Sequence, residues 1–311
     1  MKINSGIKVF APATVANLAC GFDTLGLALE QPGDELIAKV SATPGIRIIK
    51  ITGGKKLPYD IDKNTAGVAA KKLLEAVGNK EIGIEMEIHK KMPFGSGLGS
   101  SAASAVAGAM AVNELLRRPF TKWELLPFAM AGEQIASGAY HADNVAPSLL
   151  GGITFVRNNE SLDVHRLSVP PGLFVTVIYP QVEILTKAAR NMLSNTVSLK
   201  NTVQQAANLG GFIIGLQKGD FELISRSLED VIIEPQRASL IPHFQEVKEA
   251  ALKQGVLGCS ISGSGPSIFA LSNNSLIAEN AGTEMERIYR DNKIKTALFI
   301  SKINMEGVIR Y

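Results

Sequence analysis

Cysteine is scarce in this chain of 311 residues, which has only Cys20 and Cys259. Two cysteines so far apart in sequence exclude the disulfide framework typical of small secreted proteins. Long apolar runs are also lacking, because the most apolar segment, 102–112, is far shorter than the roughly 20 residues that span a bilayer. The first ten residues have neither a long apolar core nor a small-residue cleavage signal. We therefore expect a cytoplasmic protein that is neither secreted nor membrane-inserted.

An excess of charge of one sign is missing as well. The chain has 32 Lys and Arg against 29 Asp and Glu, with no basic run longer than a pair, so nucleic acid is not expected as a partner. Hydrophobic residues make up 46% and charged residues 20%, which excludes disorder as the main state. The length predicts two domains, since a domain averages roughly 150 residues. Pro170-Pro171-Gly172 predicts the joint, giving domains 1–169 and 170–311.

What the chain does contain is a glycine-rich turn between a predicted strand, 82–92, and a predicted helix, 100–116. Three glycines occupy every second position and two serines follow, so the backbone amides can point at one spot. Together with the partial positive charge of a helix start, such a turn suits a phosphate group, although a plain turn is also consistent with it. It is not a P-loop, which needs Lys before its Ser or Thr, and its glycine spacing differs from the dinucleotide fingerprint.

As a continuous string, the segment resembles the phosphate-binding motif of the GHMP superfamily of galactokinases, homoserine kinases, mevalonate kinases and phosphomevalonate kinases. The resemblance implies a two-domain α+β fold, with an N-terminal domain like domain 2 of ribosomal protein S5 and a ferredoxin-like C-terminal domain. It also implies that ATP is bound by the whole string, Pro93, Phe94, Gly95, Ser96, Gly97, Leu98, Gly99, Ser100, Ser101, Ala102 and Ala103.

A second motif lies near the N-terminus, at 11–29, and resembles the first motif of homoserine kinases, S-x-N-L-G-x-G-F-D. Ala16 and Ala19 stand where Ser and Gly are common. Two of its polar residues, Asn17 and Asp23, have two interpretations. They cap a turn, because such residues hydrogen-bond nearby backbone, or they face a ligand from an apolar frame.

Three further segments resemble homoserine kinase motifs in family order: H-A-D-N-V-A-P from His141, T-x-x-A-R ending at Arg190, and E-P-x-R ending at Arg237. A glycine-serine loop around Gly263 resembles the third superfamily motif. From the residues alone, His141 is also explained as structural and Arg190 as a helix-surface arginine. The resemblance implies a site for L-homoserine formed by Asn17, Asp23, His141, Asn144, Arg190, Arg237 and Gly263, with Asn17, Asp23 and Asn144 as the catalytic candidates.

Glu133 lies near the end of a predicted helix. Its side chain is either a solvated surface charge or an inward-facing carboxylate, and an inward-facing carboxylate would need a partner such as a cation. The resemblance implies that Glu133 and Ser101 bind Mg²⁺, which prefers oxygen ligands. In mevalonate kinases and galactokinases, the corresponding region carries an Asp that is regarded as the catalytic base. Counting back from Gly151-Gly152 places Asn144 at that position in this chain. An amide is not a useful proton acceptor, so we expect phosphoryl transfer without a dedicated protein base.

The activity implied is ATP-dependent phosphorylation of the homoserine side-chain hydroxyl, a step toward threonine. The alternatives are another superfamily kinase, such as a mevalonate kinase, or a non-catalytic nucleotide-binding regulator on the same fold. A homodimer is an expectation from relatives alone.

Local signals outside the motifs predict further elements. Turn residues at 42–45 predict a hairpin of strands 34–41 and 46–51, and 12–23 reads as a loop. Asn64 and Gly78 predict the ends of a helix. Thr121 and Glu124 form a capping-box signature for the next helix.

Overall fold

The computed structural model describes residues 6–53, 57–79, 81–138, 140–182, 184 and 186–311. Residues 1–5 lie outside the described residues. They are part of the N-terminal segment in which the sequence predicts no cleavage signal. The strands of the described chain are β1 (Ile7–Ala16), β2 (Leu25–Ser41), β3 (Gly45–Thr52), β4 (Gly83–His89), β5 (Ile153–Asn158), β6 (Asp163–Leu167), β7 (Phe174–Pro180), β8 (Gly258–Ile261), β9 (Ile268–Ser272), β10 (Thr296–Lys302) and β11 (Ile309–Arg310).

The α-helices lie between these strands, singly or in runs, and short 3₁₀ turns occur at Ile61–Lys63, Trp123–Leu125 and Ala238–Leu240. In chain order the helices are α1 (Thr65–Val77), α2 (Ser100–Leu115), α3 (Leu126–Ser137), α4 (Val145–Leu150), α5 (Thr186–Asn191), α6 (Leu199–Lys218), α7 (Phe221–Ser227), α8 (Glu234–Arg237), α9 (Phe244–Lys253) and α10 (Ser275–Asp291). Within the described ranges, none of them is both long and apolar enough to cross a membrane.

The first sheet has the strand order β11-β1-β2-β4-β3, with β5 and β6 continuing from β2. Helix α2 packs on β1 and β2, and α1 and α3 pack on α2. Because α2 lies between a sheet and two helices, all its residues from Ala102 to Glu114 are buried. Small residues permit this close packing: a Cβ at Gly108 would lie 2.3 Å from the Ala66 carbonyl oxygen. The predicted buried helix is therefore the centre of the first core.

The predicted hairpin is wrong, because β4 lies between β2 and β3. Ile84 of β4 is paired with Val40 of β2 on one side and with Ile46 of the parallel strand β3 on the other. A local turn signal cannot reveal a strand that inserts from later in the chain. The predicted loop at 12–23 is also partly wrong, since β1 pairs with β2 as far as Ala16.

The predicted helix ends are confirmed. The Asn64 side chain accepts hydrogen bonds from the first turn of α1, and Gly78 ends that helix in the left-handed conformation. Thr121 and Glu124 exchange hydrogen bonds as a capping box should, with the Thr121 amide donating to the Glu124 carboxylate at 2.8 Å.

The second sheet is antiparallel, with the order β10-β7-β9-β8 and helices α9 and α10 packed against it. Numbered within this sheet alone, the order is 4-1-3-2, the arrangement of a ferredoxin-like domain. Strand β10 adjoins β2 of the first sheet, where the Glu30 amide donates to the Ser301 hydroxyl at 2.8 Å. Afterwards the chain returns to the first sheet as β11. The boundary at 169/170 stays a prediction, and these last residues lie across it.

Candidate active site

A cleft lies where the glycine-rich turn, helix α3 and the turn after β1 face residues of the second sheet and its helices. Its walls include Asn17, Asp23, Ser101, Glu133, His141, Asp143, Asn144, Arg190, Arg237 and Gly263. The structure thus brings residues from six separate predicted motifs to one place, together with Glu133 of α3.

The glycine-rich turn needs its glycines for conformation and for space. Gly95, Gly97 and Gly99 have φ of 61°, 78° and 64°, a region that other residues rarely adopt. A Cβ at Gly97 would lie 2.4 Å from the Ser262 carbonyl oxygen. Helix α2 begins directly after Gly99, and no side chain of the described residues caps it. Its first amides therefore remain available to an anion, as phosphate sites at helix starts require.

The side chains of this turn mostly face the protein, not the cleft. The Ser96 hydroxyl donates to the Pro93 carbonyl at 2.8 Å, and Leu98 is fully buried. Ser100 donates to Asp34 at 3.3 Å, whereas Ser101 donates to Glu133 at 3.0 Å. Of the two serines, Ser101 is the one whose hydroxyl meets a cleft carboxyl group.

Glu133 is held inward by helix α3 and is only 9% exposed. Burial raises the pKa of its carboxyl to about 7, the Ser101 hydroxyl opposes that rise, and nearby Asp143 adds to it. A hard cation with oxygen ligands suits this Ser–Glu pair and would favour the ionised carboxylate. No cluster of three His, Cys, Asp or Glu occurs among the described residues, so other ligands of the cation would have to come from phosphates and water.

The turn after β1 is built on left-handed residues, with φ of 73°, 44° and 59° at Asn17, Leu18 and Ala19. The side-chain oxygen Oδ1 of Asn17 accepts from the Asp23 backbone amide at 3.1 Å, and the side-chain nitrogen Nδ2 donates to the Gly263 carbonyl at 2.9 Å. Asn17 therefore caps the turn and joins it to the second glycine-serine loop at the same time.

Charged side chains gather beside this turn. Arg190 forms two hydrogen bonds with Asp23, at 2.8 and 3.1 Å, and His141 Nε2 lies 3.6 Å from the same carboxylate. Buried Arg237 donates to the carbonyls of Ala189 and Gly263 at 3.1 and 3.2 Å. The cluster holds two guanidinium groups and one carboxylate side by side.

The Phe22 ring lies close to both arginines of this cluster. Its ring centroid is 5.5 Å from the Arg190 guanidinium carbon and 5.1 Å from that of Arg237, within the range of cation–π contacts. Burial lowers the pKa of His141, which favours a neutral imidazole near pH 7.

Asn144 lies against the glycine-rich turn. Its side-chain oxygen Oδ1 accepts from the Thr14 hydroxyl at 2.7 Å, which leaves the side-chain nitrogen Nδ2 as the end for a ligand. A Cβ at Gly99 would lie 2.0 Å from that hydroxyl oxygen. The contact therefore fixes Asn144 beside the start of α2.

Comparison with known proteins identifies the family. The model of the GHMP kinases N terminal domain matches 64–152, and that of the GHMP kinases C terminal region matches 212–291. A homoserine kinase of Chlorobium phaeovibrioides is 45% identical, covering 97% of this chain and 98% of that protein. One from Chlorobium phaeobacteroides is 44% identical over 96% of this chain and 97% of its own.

A crystal structure of homoserine kinase from Cytophaga hutchinsonii is similar throughout, with a TM-score of 0.97 and 50% identity. It covers 100% of this chain, which in turn covers 99% of it. The chain belongs to the homoserine kinase family. The predicted two-domain GHMP kinase fold is confirmed, and membership of a kinase family implies that ATP is used.

Asp143 is a cleft residue of this homoserine kinase family member that the sequence did not single out. It is buried, and burial raises the pKa of its carboxyl to about 7, with a further rise from Asp23. Counting back from the paired glycines drew attention to Asn144 alone. The sequence does contain a signal for Asp143, because it is an acidic residue next to Asn144 inside an apolar stretch, and a charged residue is rarely buried there without a role.

Asp34 and Lys90 were missed for a different reason. They belong to β2 and to the residue after β4, so no local string contains both, and each looks like a surface charge in sequence. In the folded chain they form a buried pair beside the glycine-rich turn, and Lys90 also lines the cleft.

Proposed function

We propose that this chain transfers the γ-phosphoryl group of ATP to the side-chain hydroxyl of L-homoserine. The observation that carries the proposal is the juxtaposition in one cleft of an uncapped helix start with Ser101 and Glu133, and of a carboxylate with two guanidinium groups. The first set suits phosphates and a cation. The second suits a small zwitterion.

On the nucleotide side, the amides of the glycine-rich turn and of the first turn of α2 would bind the phosphates. Ser101 and Glu133 would hold Mg²⁺, which neutralises charge on the transferred phosphoryl group. Leu57, Thr65 and Ala136 line the cleft beside α1 and α3 and would contact the nucleoside. Transfer of this kind depends mainly on position and charge, so few reactive side chains are needed.

On the homoserine side, Asp23 would receive the substrate ammonium group and Arg190 its carboxylate. These two side chains already bind each other, and a zwitterion brings the same two charges. Substrate binding is therefore an exchange of one ion pair for two, with Phe22 and Arg237 holding Arg190 within reach. A ligand with only one of the two charges would leave a half-buried partner unpaired, which is costly.

The hydroxyl of the substrate would meet Asn144, whose free end is a hydrogen-bond donor. The proton of that hydroxyl would leave to water or to a γ-phosphate oxygen, since a loose transition state needs little proton removal before transfer. Asp143 is the carboxyl group nearest in sequence to this point, and its replacement tests the absence of a base.

Initial rates of ADP release test the proposal across four alcohols: homoserine, 4-hydroxybutyrate, 3-aminopropanol and mevalonate. We expect homoserine to give a kcat/KM at least about 100-fold above each single-charge analogue, the worth of one charge-assisted pair. Mevalonate turning over faster would establish the mevalonate kinase alternative. Nucleotide binding without ADP release for any alcohol would establish the non-catalytic regulator.

A further inference from the structure

Asp34 occupies an unusual place for a charged residue, buried within β2 at 1% exposure. Its Oδ1 accepts hydrogen bonds from the backbone amides of Lys91 and Met92 at 2.8 and 3.1 Å. These two residues begin the segment that leads into the glycine-rich turn. One oxygen of Asp34 therefore fixes the start of that segment to the first sheet.

The other oxygen, Oδ2, reaches the end of the same segment. It accepts from the Ser100 hydroxyl at 3.3 Å and pairs with the Lys90 ammonium group. Lys90 also donates to the Ser100 carbonyl and to the Ser104 hydroxyl, both at 2.7 Å. The carboxylate thus joins the two ends of segment 91–100, directly and through Lys90.

The donors and acceptors of this cluster match. An ammonium group has three donors, and Asp34, the Ser100 carbonyl and the Ser104 hydroxyl provide one acceptor each. Both charged side chains are 2% exposed. A buried ion pair of this kind is weak evidence for a gain in stability, because removing two charges from water is costly. What distinguishes this ion pair is its geometry, because Asp34 and Lys90 together contact both ends of segment 91–100.

We propose that Asp34 and Lys90 are positioning residues, which clamp the two ends of segment 91–100 together and so set the phosphate-binding amides before ATP arrives. The inference rests on the proposed ATP site, and neither residue needs to contact a phosphate. Gly95, Gly97 and Gly99 make the turn flexible in the unfolded chain. A clamp at its ends supplies the order that the glycines do not.

Equilibrium ATP binding and thermal unfolding of the full chain, measured for the same variants, test the clamp. We expect Lys90→Met and Asp34→Asn each to weaken ATP binding by about 10- to 100-fold, since each removes charge-assisted bonds to the segment. Each should also lower Tm, because one buried charge loses its partner. The KM for homoserine should stay within about threefold in both, since the proposed homoserine contacts come from side chains outside segment 91–100.

The double variant Asp34→Asn/Lys90→Met separates positioning from stability. It has no unpaired buried charge, so Tm should recover most of the loss, whereas ATP binding should stay weak because the link to the Ser100 carbonyl is absent. Recovery of both properties would overturn the proposal in favour of a structural role. Weak ATP binding in Lys90→Met alone, with Asp34→Asn normal, would overturn it in favour of direct phosphate contact.

Two further variants keep the test decisive if the charge variants fold poorly. Ser100→Ala leaves the ion pair intact and removes one neutral-to-charged bond, so ATP binding should weaken by about 3- to 10-fold; unchanged binding would contradict the clamp. The control is Lys91→Met, whose exposed ammonium group pairs with Glu35 at 2.7 Å. It should leave ATP affinity unchanged. Since ATP binding is measured without homoserine, failure of the clamp and failure of the proposed reaction give different results.

Discussion

The proposed nucleotide side and the proposed homoserine side of the cleft are built in opposite ways. The nucleotide side is one continuous stretch of chain, 93–103. It offers backbone amides and the Ser101 hydroxyl, which donates to Glu133 of α3. The homoserine side is made of charged side chains from distant segments, Asp23, Arg190 and Arg237, which contact one another or backbone carbonyls.

The difference lies in how each side is kept ready for its ligand. Amides at a helix start need no partner change when a phosphate arrives, so that side is preorganised by its backbone. The charges of the other side satisfy one another and must exchange partners when a zwitterion binds. Substitutions on the nucleotide side should therefore act on turnover or on ATP binding, and substitutions among the charges mainly on KM for homoserine.

The largest effect is expected on the nucleotide side. Glu133→Gln and Ser101→Ala should each lower kcat by about 100-fold or more, because a metal clamp supplies several kcal/mol of transition-state stabilisation. Steady-state kinetics at saturating Mg²⁺ is the measurement, with thermal unfolding to show that each variant is folded. Glu75→Gln, at a solvent-exposed helix position, is the matched control. Near-normal turnover in either variant would refute the metal assignment.

A smaller and different effect is expected among the charges. Arg190→Met should raise KM for homoserine by about 10- to 100-fold, the worth of a charge-assisted hydrogen bond, with KM for ATP unchanged. Arg237→Met should do the same and also lower Tm, since Arg237 is buried and bonds two carbonyls. The exposed Arg226→Met is the control. An equal rise in KM for ATP would assign these arginines to the nucleotide or to the fold.

A still smaller effect is expected at the reacting hydroxyl. Asn144→Ala should reduce kcat by about tenfold, the loss of one positioning hydrogen bond, and not by the roughly 10² to 10⁴ of a lost general base. At saturating Mg²⁺, which favours the ionised form of Glu133, rates between about pH 6 and about pH 9 should lack a limb that belongs to a general base, carboxylate or histidine. Such a limb, if abolished by Asp143→Asn, His141→Asn or Asp23→Asn with substrate binding unchanged, would identify a base and contradict this expectation.

The smallest effect concerns stability and pH. Burial raises the pKa of Glu133 from 4.5 to about 7 and that of Asp143 from 3.8 to about 7. Between about pH 4 and about pH 7 the folded chain therefore keeps protons that the unfolded chain releases, so Tm of the ligand-free protein should fall as pH rises across that window and level off above about 7. Asp143→Asn and Glu133→Gln should flatten that fall in thermal unfolding scans. An equal slope in wild type and both variants would show that these carboxyls titrate normally.

The same contrast explains what the sequence predicts well. The strand, the turn and the helix start of the nucleotide side follow one another in a single stretch of sequence, and the structure places them together as predicted. Ser101 and Glu133 meet at 3.0 Å, although the resemblance, not the residues alone, was needed to pair them. The metal itself stays a proposal.

Tertiary relations were harder to predict. The hairpin of β2 and β3 failed because β4 inserts between them, and Asp34 and Lys90 looked like separate surface charges. Asn17 and Asp23 had two local readings, and the structure shows Asn17 capping the turn while it also contacts Gly263. Each of these facts depends on a partner far away in sequence, which spacing and periodicity do not encode.

Identification of the phosphorylated product tests the central claim most directly. The chain is incubated with ATP, Mg²⁺ and homoserine, and phosphorus NMR and mass spectrometry follow where the γ-phosphoryl group goes. We predict a phosphate ester on the side-chain oxygen of homoserine, formed in step with ADP and absent from the Glu133→Gln reaction. Release of inorganic phosphate alone, or transfer to mevalonate in preference to homoserine, would contradict the account.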